Sequence, residues 1–564
     1  MEWLVKLFEK YPEMSVYLSV GIGYFVGRLK FRGFGLGVVT SSLLAGILIG
    51  NLVHVPVADQ AKTMLFLLFL FGIGYSVGPS FFRNLKGEGW RWAVLATFIP
   101  VVGLITAYGV ARFLKLDLGY SAGMLSGALT ESPAIGTASE AIRGLAAITD
   151  EQKQLLIGHI AVADAICYVF GTIGVIWCCS WLGPKLMGID LLTESKKEEK
   201  KLGIRPAKLG VSSGWQAIGF RAYKVPQNAP IVGKTVAAAE RSVTEGRLFV
   251  ERIRREGEIL STSGETVIRA NDTVAVLGRT EVLVKVLGPR SVEIADPDLL
   301  AIPVASYDLY VTSKQIAGKT LQQIVDDVPQ ARSVLLRGMT RGDREIPVGA
   351  NVVVERGDTL HVTGPESEVE KLAPVVGMKI QPHEDSDLGI LGIAIAVGVF
   401  VGAAITFPIG GLRISLGTSV GTLLAGLLVG WARSTRPWFA RIPDGAILFM
   451  RSMGLAAFVA MIGLKAGPIF ISAVKESGYL LFFGGIVVTM VPLISGIWFG
   501  RYVLRLDPIQ LLGGVAGAQT MIAGVAAVQE KSNSPIATLG YSYTVAIGHI
   551  LLTTWGTIIV SLLA

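Results

Sequence analysis

Apolar residues in this chain gather into long, nearly uncharged runs at about 13–28, 34–53, 62–79, 90–114 and 153–184. After roughly 200 residues of different character, a second series follows at about 386–407, 413–432, 446–466, 478–503 and 536–562. At 1.5 Å per residue, runs of this length cover about 30 Å of hydrocarbon and predict membrane-crossing helices. Between the fourth and fifth run of each series lies a Gly/Ala/Thr-rich stretch, 119–143 and 509–531. Pro133 interrupts the first, and Gly513, Gly514 and Gly517 loosen the second, so both predict broken helices that enter and leave on one face.

The two series superpose. At an offset of 390, Leu116-Asp117 meets Leu506-Asp507, Gly123 meets Gly513, Gly127-Ala128 meets Gly517-Ala518, Thr130 meets Thr520, and Glu140 meets Glu530. The same offset carries Ile157-Gly158-His159-Ile160 onto Ile547-Gly548-His549-Ile550. Upstream, an offset of 389 brings Gly74, Gly78-Pro79 and Lys86 onto Gly463, Gly467-Pro468 and Lys475. Glycine and alanine coincide cheaply in membrane helices, but one register surviving across Asp, Thr, Glu and a Gly-His pair marks an internal repeat.

Residues 190–385 turn charged and Val-rich, with alternating segments such as Thr273–Leu277 and Thr359–Val362. Val232-Gly233-Lys234-Thr235 with Ala270-Asn271-Asp272-Thr273 is answered by Ala317-Gly318-Lys319-Thr320 with Arg356-Gly357-Asp358-Thr359. The pattern predicts paired soluble α/β units. The expected organisation is a first transmembrane repeat at 1–189, soluble units at 190–292 and 293–385, and a second transmembrane repeat at 386–564.

Composition agrees: 51% hydrophobic and 17% charged is too apolar for a soluble chain of 564 residues. The net charge of +8 would suggest nucleic acid, but the basic residues cluster in short loops such as Arg28–Arg32, Arg83–Arg91 and Arg433–Arg441. That is the positive-inside pattern. With these loops cytoplasmic, five crossings and one re-entrant hairpin per half put the insert inside and invert the second repeat. The expected fold is therefore a polytopic α-helical membrane protein of two inverted repeats, each of five transmembrane helices plus one re-entrant hairpin, with a soluble α/β insert. Were the Gly-rich stretches to span fully, the repeats would be parallel and the insert outside. The opening MEWLVKLFEKYPEMS is too polar for a cleavable signal, so it is read as part of the mature protein. Cys167, Cys178 and Cys179 share one apolar run and form no disulfide or metal framework.

The densest polar signal is Gly123-x3-Gly127-Ala-Leu-Thr130-Glu131-Ser132-Pro133, answered by Gly513-x3-Gly517-Ala-Gln519-Thr520. A break after Thr130 leaves unpaired amides and the positive end of a half-helix, which suits a carboxylate. Inverted hairpins would bring Thr130 and Thr520 together at mid-membrane; small-residue helix contacts are the plainer alternative. Glu131 either touches substrate or proton or sits in water at the tip. Lys465 is the most anomalous charge in the apolar segments, to be met by an anionic partner or by snorkelling. Asp164, His159 and His549 are further polar groups in apolar surroundings, and Arg83 could attract anions to a cytoplasmic mouth. No hydrolase, Walker or metalloprotease motif appears, and Gly233-Lys234-Thr235 and Gly318-Lys319-Thr320 read as turns opening helices.

This order of features, with the Gly-x3-Gly-Ala-Leu-Thr-x-Ser-Pro-Ala hairpin and the Gly-x3-Gly-Pro-x-Phe pattern at Gly74–Phe81 and Gly463–Phe470, resembles the aspartate:alanine exchanger family of bacterial secondary transporters. The insert near 206–290 and 295–378 resembles the C-terminal ligand-binding domains of potassium-conductance regulators, known as RCK or TrkA C-terminal domains. The resemblance implies no enzyme and no cofactor, but electrogenic exchange of aspartate for alanine, or of another dicarboxylate such as succinate, across the bacterial inner membrane. It further implies a homodimer surrounded by lipid, a cytoplasmic insert open to a small ligand, and no nucleic acid. Its binding elements fall on Thr130, Glu131, Ser132, Pro133, Gln519, Thr520, Arg83 and Lys465. The second half reads Met521-Ile522-Ala523 where the first has Glu131-Ser132-Pro133, so equal roles for the hairpins are not implied. A ligand-gated channel is the competing expectation.

Overall fold

The computed structural model describes the chain except residues 1, 30–36, 54, 85–88, 205–217, 244–246, 289–290, 332, 342–343, 381–384, 410–411, 416 and 437–438. Lys30–Arg32 of the first basic loop, Lys86, and the side chain of Arg83 lie outside the described residues. Two compact units form: Met1–Leu202 with Thr340–Pro347 and Pro382–Ala564, and Gly203–Met339 with Val348–Gln381.

In the first unit the leading half contributes α1 (Pro12–Gly27), α2 (Gly37–Leu52), α3 (Asp59–Asn84), α4 (Trp90–Leu114), α5 (Leu118–Ala128), α6 (Pro133–Gly144), α7 (Asp150–Trp177) and the charged α8 (Leu191–Leu202). The trailing half contributes α9 (Leu388–Ala404), α10 (Thr418–Thr435), α11 (Asp444–Trp498), α12 (Pro508–Ala518), α13 (Ile522–Ser532) and α14 (Ala537–Leu563). Among the described helices, Asp59–Phe82, Trp90–Leu114, Asp150–Met187, Asp444–Val503 and Ala537–Leu563 are long and apolar enough to cross a membrane. Phe25, Phe113 and Phe400 stand exposed on the outside, an apolar exterior that suits lipid rather than water.

One expectation is corrected. The runs 446–466 and 478–503 are a single helix, α11, which a π-turn at Phe499–Val503 prolongs. The joining sequence Ala466-Gly-Pro-Ile-Phe-Ile-Ser-Ala-Val-Lys-Glu-Ser-Gly478 carries the turn pairs Gly467-Pro468 and Ser477-Gly478, yet Gly467 packs on the backbone at Gly50–Asn51 and Pro468 is held inside the helix. The matching join in the first half carries Gly87 and Gly89, and there α3 and α4 are separate helices.

Helix directions follow from where glycines bring backbones together. Gly119, Gly123 and Gly127 of α5 press on Leu156, Ile160 and Asp164 of α7, so α5 and α7 run parallel. At 11 and 12 residues, α5 and α6 are each about half the length that crosses ~30 Å of hydrocarbon, so α5–α6 is a hairpin of half-helices. Gly513 and Gly517 of α12 meet Ala537 and Tyr541 of α14 in the same sense, so α12–α13 is the second hairpin. Gly74 and Gly78 set α3 parallel to α10, and Gly46 and Gly50 set α2 parallel to the first half of α11. Gly454 against Leu65 and Phe69, with Gly72 against Arg451, sets α3 antiparallel to that half of α11. Each of α2 and α3 thus opposes its counterpart in the repeat, α10 and α11.

The insert between the two halves forms two five-stranded sheets. The first comprises β1 (Ile218–Lys224), β2 (Leu248–Arg255), β3 (Glu258–Ser261), β4 (Thr273–Arg279) and β5 (Val292–Ile294), in the order β3-β2-β4-β1-β5. The second comprises β6 (Val304–Val311), β7 (Leu335–Arg341), β8 (Arg344–Ile346), β9 (Asp358–Pro365) and β10 (Gly377–Ile380), in the order β10-β6-β9-β7-β8; β8 and the last residues of β7 are grouped with the first unit. Read from the other edge, the second order repeats the first. Gly233 and Gly318, at φ +82° and +89°, precede Thr235 and Thr320, whose hydroxyls cap the helices Val236–Arg241 and Leu321–Asp327. Both Gly-Lys-Thr triplets are therefore helix-opening turns.

Candidate functional site

Each hairpin turns on a threonine in the left-handed region, Thr130 at φ 56° and Thr520 at φ 55°. A β-branched residue adopts this conformation at a cost of about 1–2 kcal/mol, so surrounding contacts must hold it. The same bonds do so twice. Thr130 N–H donates to the Gly127 carbonyl at 3.1 Å and Glu131 N–H to Ser126 at 2.9 Å; Thr520 N–H donates to Gly517 and Met521 N–H to Ala516, both at 2.9 Å. Pro133, at the first position of α6, suits a helix start because its missing N–H would have no intrahelical partner. Ser132 stands at the N-cap of α6 without a side-chain capping bond and is 4% exposed.

The two tips meet and are bonded crosswise. The Thr130 hydroxyl donates to the Gln519 carbonyl at 2.9 Å, and the Thr520 hydroxyl donates to Glu131 Oε2 at 2.8 Å. Glu131 is buried, with the Thr553 hydroxyl donating to Oε1 at 2.9 Å and His549 Nδ1 3.2 Å away. The residue that sequence could place either at the substrate or in water is thus at the centre of the junction. Beside it, the Gln519 side chain is fully buried, and neither its amide nitrogen nor its oxygen has a partner among the described residues. An unmet buried amide costs about 1–3 kcal/mol, so this position calls for a guest or water. One helix deeper, the Ser126 hydroxyl donates to Asp164 Oδ1 at 2.6 Å, while Asp164 Oδ2 is buried without a partner among the described residues.

The recurring histidines do different work. His159 Nδ1 lies 2.6 Å from Asp117, the residue whose carboxylate also caps α5 through Tyr120 N–H at 2.7 Å. His549 instead reaches the opposite hairpin. At the base of the second hairpin, Asp507 makes no capping bond of its own. Glu198 of α8 supplies it, Oε1 accepting from Ile509 N–H at 2.8 Å, while Lys201 pairs with Asp507 at 2.8 Å and the Ser195 hydroxyl donates to the Ser532 carbonyl at 2.9 Å. Burial pushes the Glu198 carboxyl up to about 7, against the lowering effect of the Ile509 N–H.

Lys465 is not in the junction. It pairs with Asp59 at 2.9 Å, a partner 406 residues away that sequence reasoning missed. Nor did the sequence single out Thr553, and Glu198 was hidden in the charged run Glu194–Lys201. Of the other expected residues, Thr130, Glu131, Ser132, Pro133, Gln519 and Thr520 converge on the tips, and the side chain of Arg83 lies outside the described residues. Among the described residues, no group of three His, Cys, Asp or Glu is arranged to hold a metal.

Residues 15–184 and 390–561 match the family described as a predicted permease membrane region of aspartate–alanine exchangers, and residues 220–287 match the TrkA-C domain. The chain is similar to an uncharacterized transporter of Bradyrhizobium diazoefficiens, 45% identical over 92% of this chain and the whole of that one. It is 36% identical to an uncharacterized transporter of Shewanella oneidensis over the full length of both. A third, from Bordetella bronchiseptica, is 33% identical over all of this chain and 98% of the other.

Proposed function

The chain belongs to the aspartate–alanine exchanger family of permeases and is a membrane transporter, and from that premise we propose that it is a secondary antiporter exchanging aspartate for alanine, or a related amino acid or dicarboxylate, across the bacterial inner membrane. The observation that carries the reading is the unmet Gln519 amide at the crossed tips, beside buried Glu131. The substrate carboxylate takes Gln519 Nε2 and the Ser132 and Ile522 N–H groups at the openings of α6 and α13, joined by the Thr130 and Thr520 hydroxyls when these release the Gln519 carbonyl and Glu131. Glu131 faces the ammonium of an amino acid. Lys465 and Arg83 draw the anion in from outside the junction.

Alternating access then consists of the tips parting on one side and closing on the other. Aspartate carries one net negative charge and alanine none, so each exchange moves one charge, worth about 2.3 kcal/mol per 100 mV. Coupled to a decarboxylation that consumes a cytoplasmic proton, the cycle contributes to proton-motive force. The insert, cytoplasmic in this reading, takes a small regulatory ligand, and the working assembly is a homodimer.

The test uses purified protein in liposomes loaded with aspartate, alanine, succinate or nothing, and follows uptake of labelled aspartate. Uptake only with alanine or another amino acid inside is the expected result, whereas equal uptake into empty vesicles would replace exchange with a channel.

A further inference from the structure

Three cations converge on a single oxygen. Lys62 Nζ lies 2.8 Å, Lys465 Nζ 2.9 Å and Arg143 Nη2 3.3 Å from Asp59 Oδ1. Three positive groups against one carboxylate leave an excess of two charges. Among the described residues, Asp59 is the ion-pair partner of all three. The least satisfied is Lys62: it is 2% exposed, and its ammonium, though beside Asp59, makes no hydrogen bond of good geometry to any described residue. It also stands in the first turn of α3, where its own helix dipole opposes a cation. A buried ammonium of this kind is costly unless further anionic oxygens reach it. Asp59 is 43% exposed and Arg143 33%, so the cluster opens outward on one side.

We propose that the Asp59, Lys62, Arg143 and Lys465 cluster is a second anion site, a waiting station for a small carboxylate, in which Asp59 holds by one oxygen the place that the incoming carboxylate takes. The station is tied to the junction by α6. Arg143 ends that helix and Pro133 begins it at the tip, about 15 Å away at helical rise. A carboxylate that draws Arg143 from Asp59 therefore pulls on the far end of the helix whose first turn lines the tips. The assignment rests on the reading that the transported solute is a carboxylate.

The experiment is calorimetric titration of succinate and of aspartate into the full-length protein in phosphatidylcholine nanodiscs. Wild type is expected to show two events. Lys62→Met and the more exposed Arg143→Gln should each weaken one of them at least tenfold and spare the other, whereas Gln519→Leu should do the reverse. Asp59→Asn, which removes the competing carboxylate, should tighten the cluster event about tenfold; a merely structural ion pair would instead lose binding or stability. Absence of any Gln519-dependent event, with the Lys62-dependent event present, would overturn the junction reading and leave the station standing. Absence of any Lys62-dependent event, weaker binding in Asp59→Asn, or a cluster that responds only to added phosphatidylglycerol would overturn the station, the last by giving the site to a lipid headgroup.

Discussion

The first hairpin turns at Leu129-Thr130-Glu131 and the second at Gln519-Thr520-Met521, with the threonines within a degree of each other in φ. What flanks them is exchanged: the first tip carries an acid after the threonine, the second an amide before it. Their bases differ too. The first caps itself through Asp117, whereas the second is capped by Glu198, on the helix that leads into the soluble insert. The repeat has kept the backbone device and divided the chemistry. In the proposed cycle the first hairpin supplies charge and the second supplies a neutral clamp.

Breaking the charge should have the largest effect. Glu131→Gln keeps one of the two threonine bonds through its carbonyl oxygen and donates its amide N–H to the other hydroxyl, so the fold is expected to persist while exchange in liposomes falls about 100-fold, the scale of one lost charge-assisted contact. Near-normal exchange would remove Glu131 from the mechanism. Next come Thr130→Gly and Thr520→Gly. Glycine relieves about 1 kcal/mol of left-handed strain and forfeits about as much in a hydrogen bond. Melting temperatures should therefore barely move while each variant slows exchange about tenfold; a large loss of stability in one alone would show that the tips are not mechanically equivalent.

The smallest effect probes the bases through pH. The folded-state carboxyl of Glu198 is raised from 4.5 to about 7, so its neutral form suits the fold. Its contribution is complete below about pH 4.5 and lost as pH rises through 7, by at most about 3 kcal/mol. Wild type should lose thermal stability between pH 5 and 8 relative to Glu198→Gln, which stays neutral; parallel melting curves would sink the assignment.

Much of this arrangement was legible in the chain. The 390-residue register located both tips, because left-handed breaks need the same local sequence twice: small residues for close approach, then threonine. The Gly-Lys-Thr turns were legible for the same local reason. What escaped was long-range. Nothing local to Lys465 announces Asp59, and a glutamate in Leu191–Leu202, with six charges among its neighbours, reads as a solvated face until α12 is laid against it. Nor does an unbroken helix declare itself across Ala466–Gly478, where two apolar runs invite a turn that the residues do not make.

The crossed junction also bears on how the chain is made. Among the described residues, the side chains bonded to Glu131 lie far downstream: Thr520 at 389 residues, His549 at 418 and Thr553 at 422. At about 5–20 residues per second, a ribosome needs roughly 20–80 s to deliver the first of them. Through that interval the nascent first half carries an unshielded acid at a hairpin tip. A half-length chain would hold that acid without these partners, and the junction begins to form only when the second hairpin arrives.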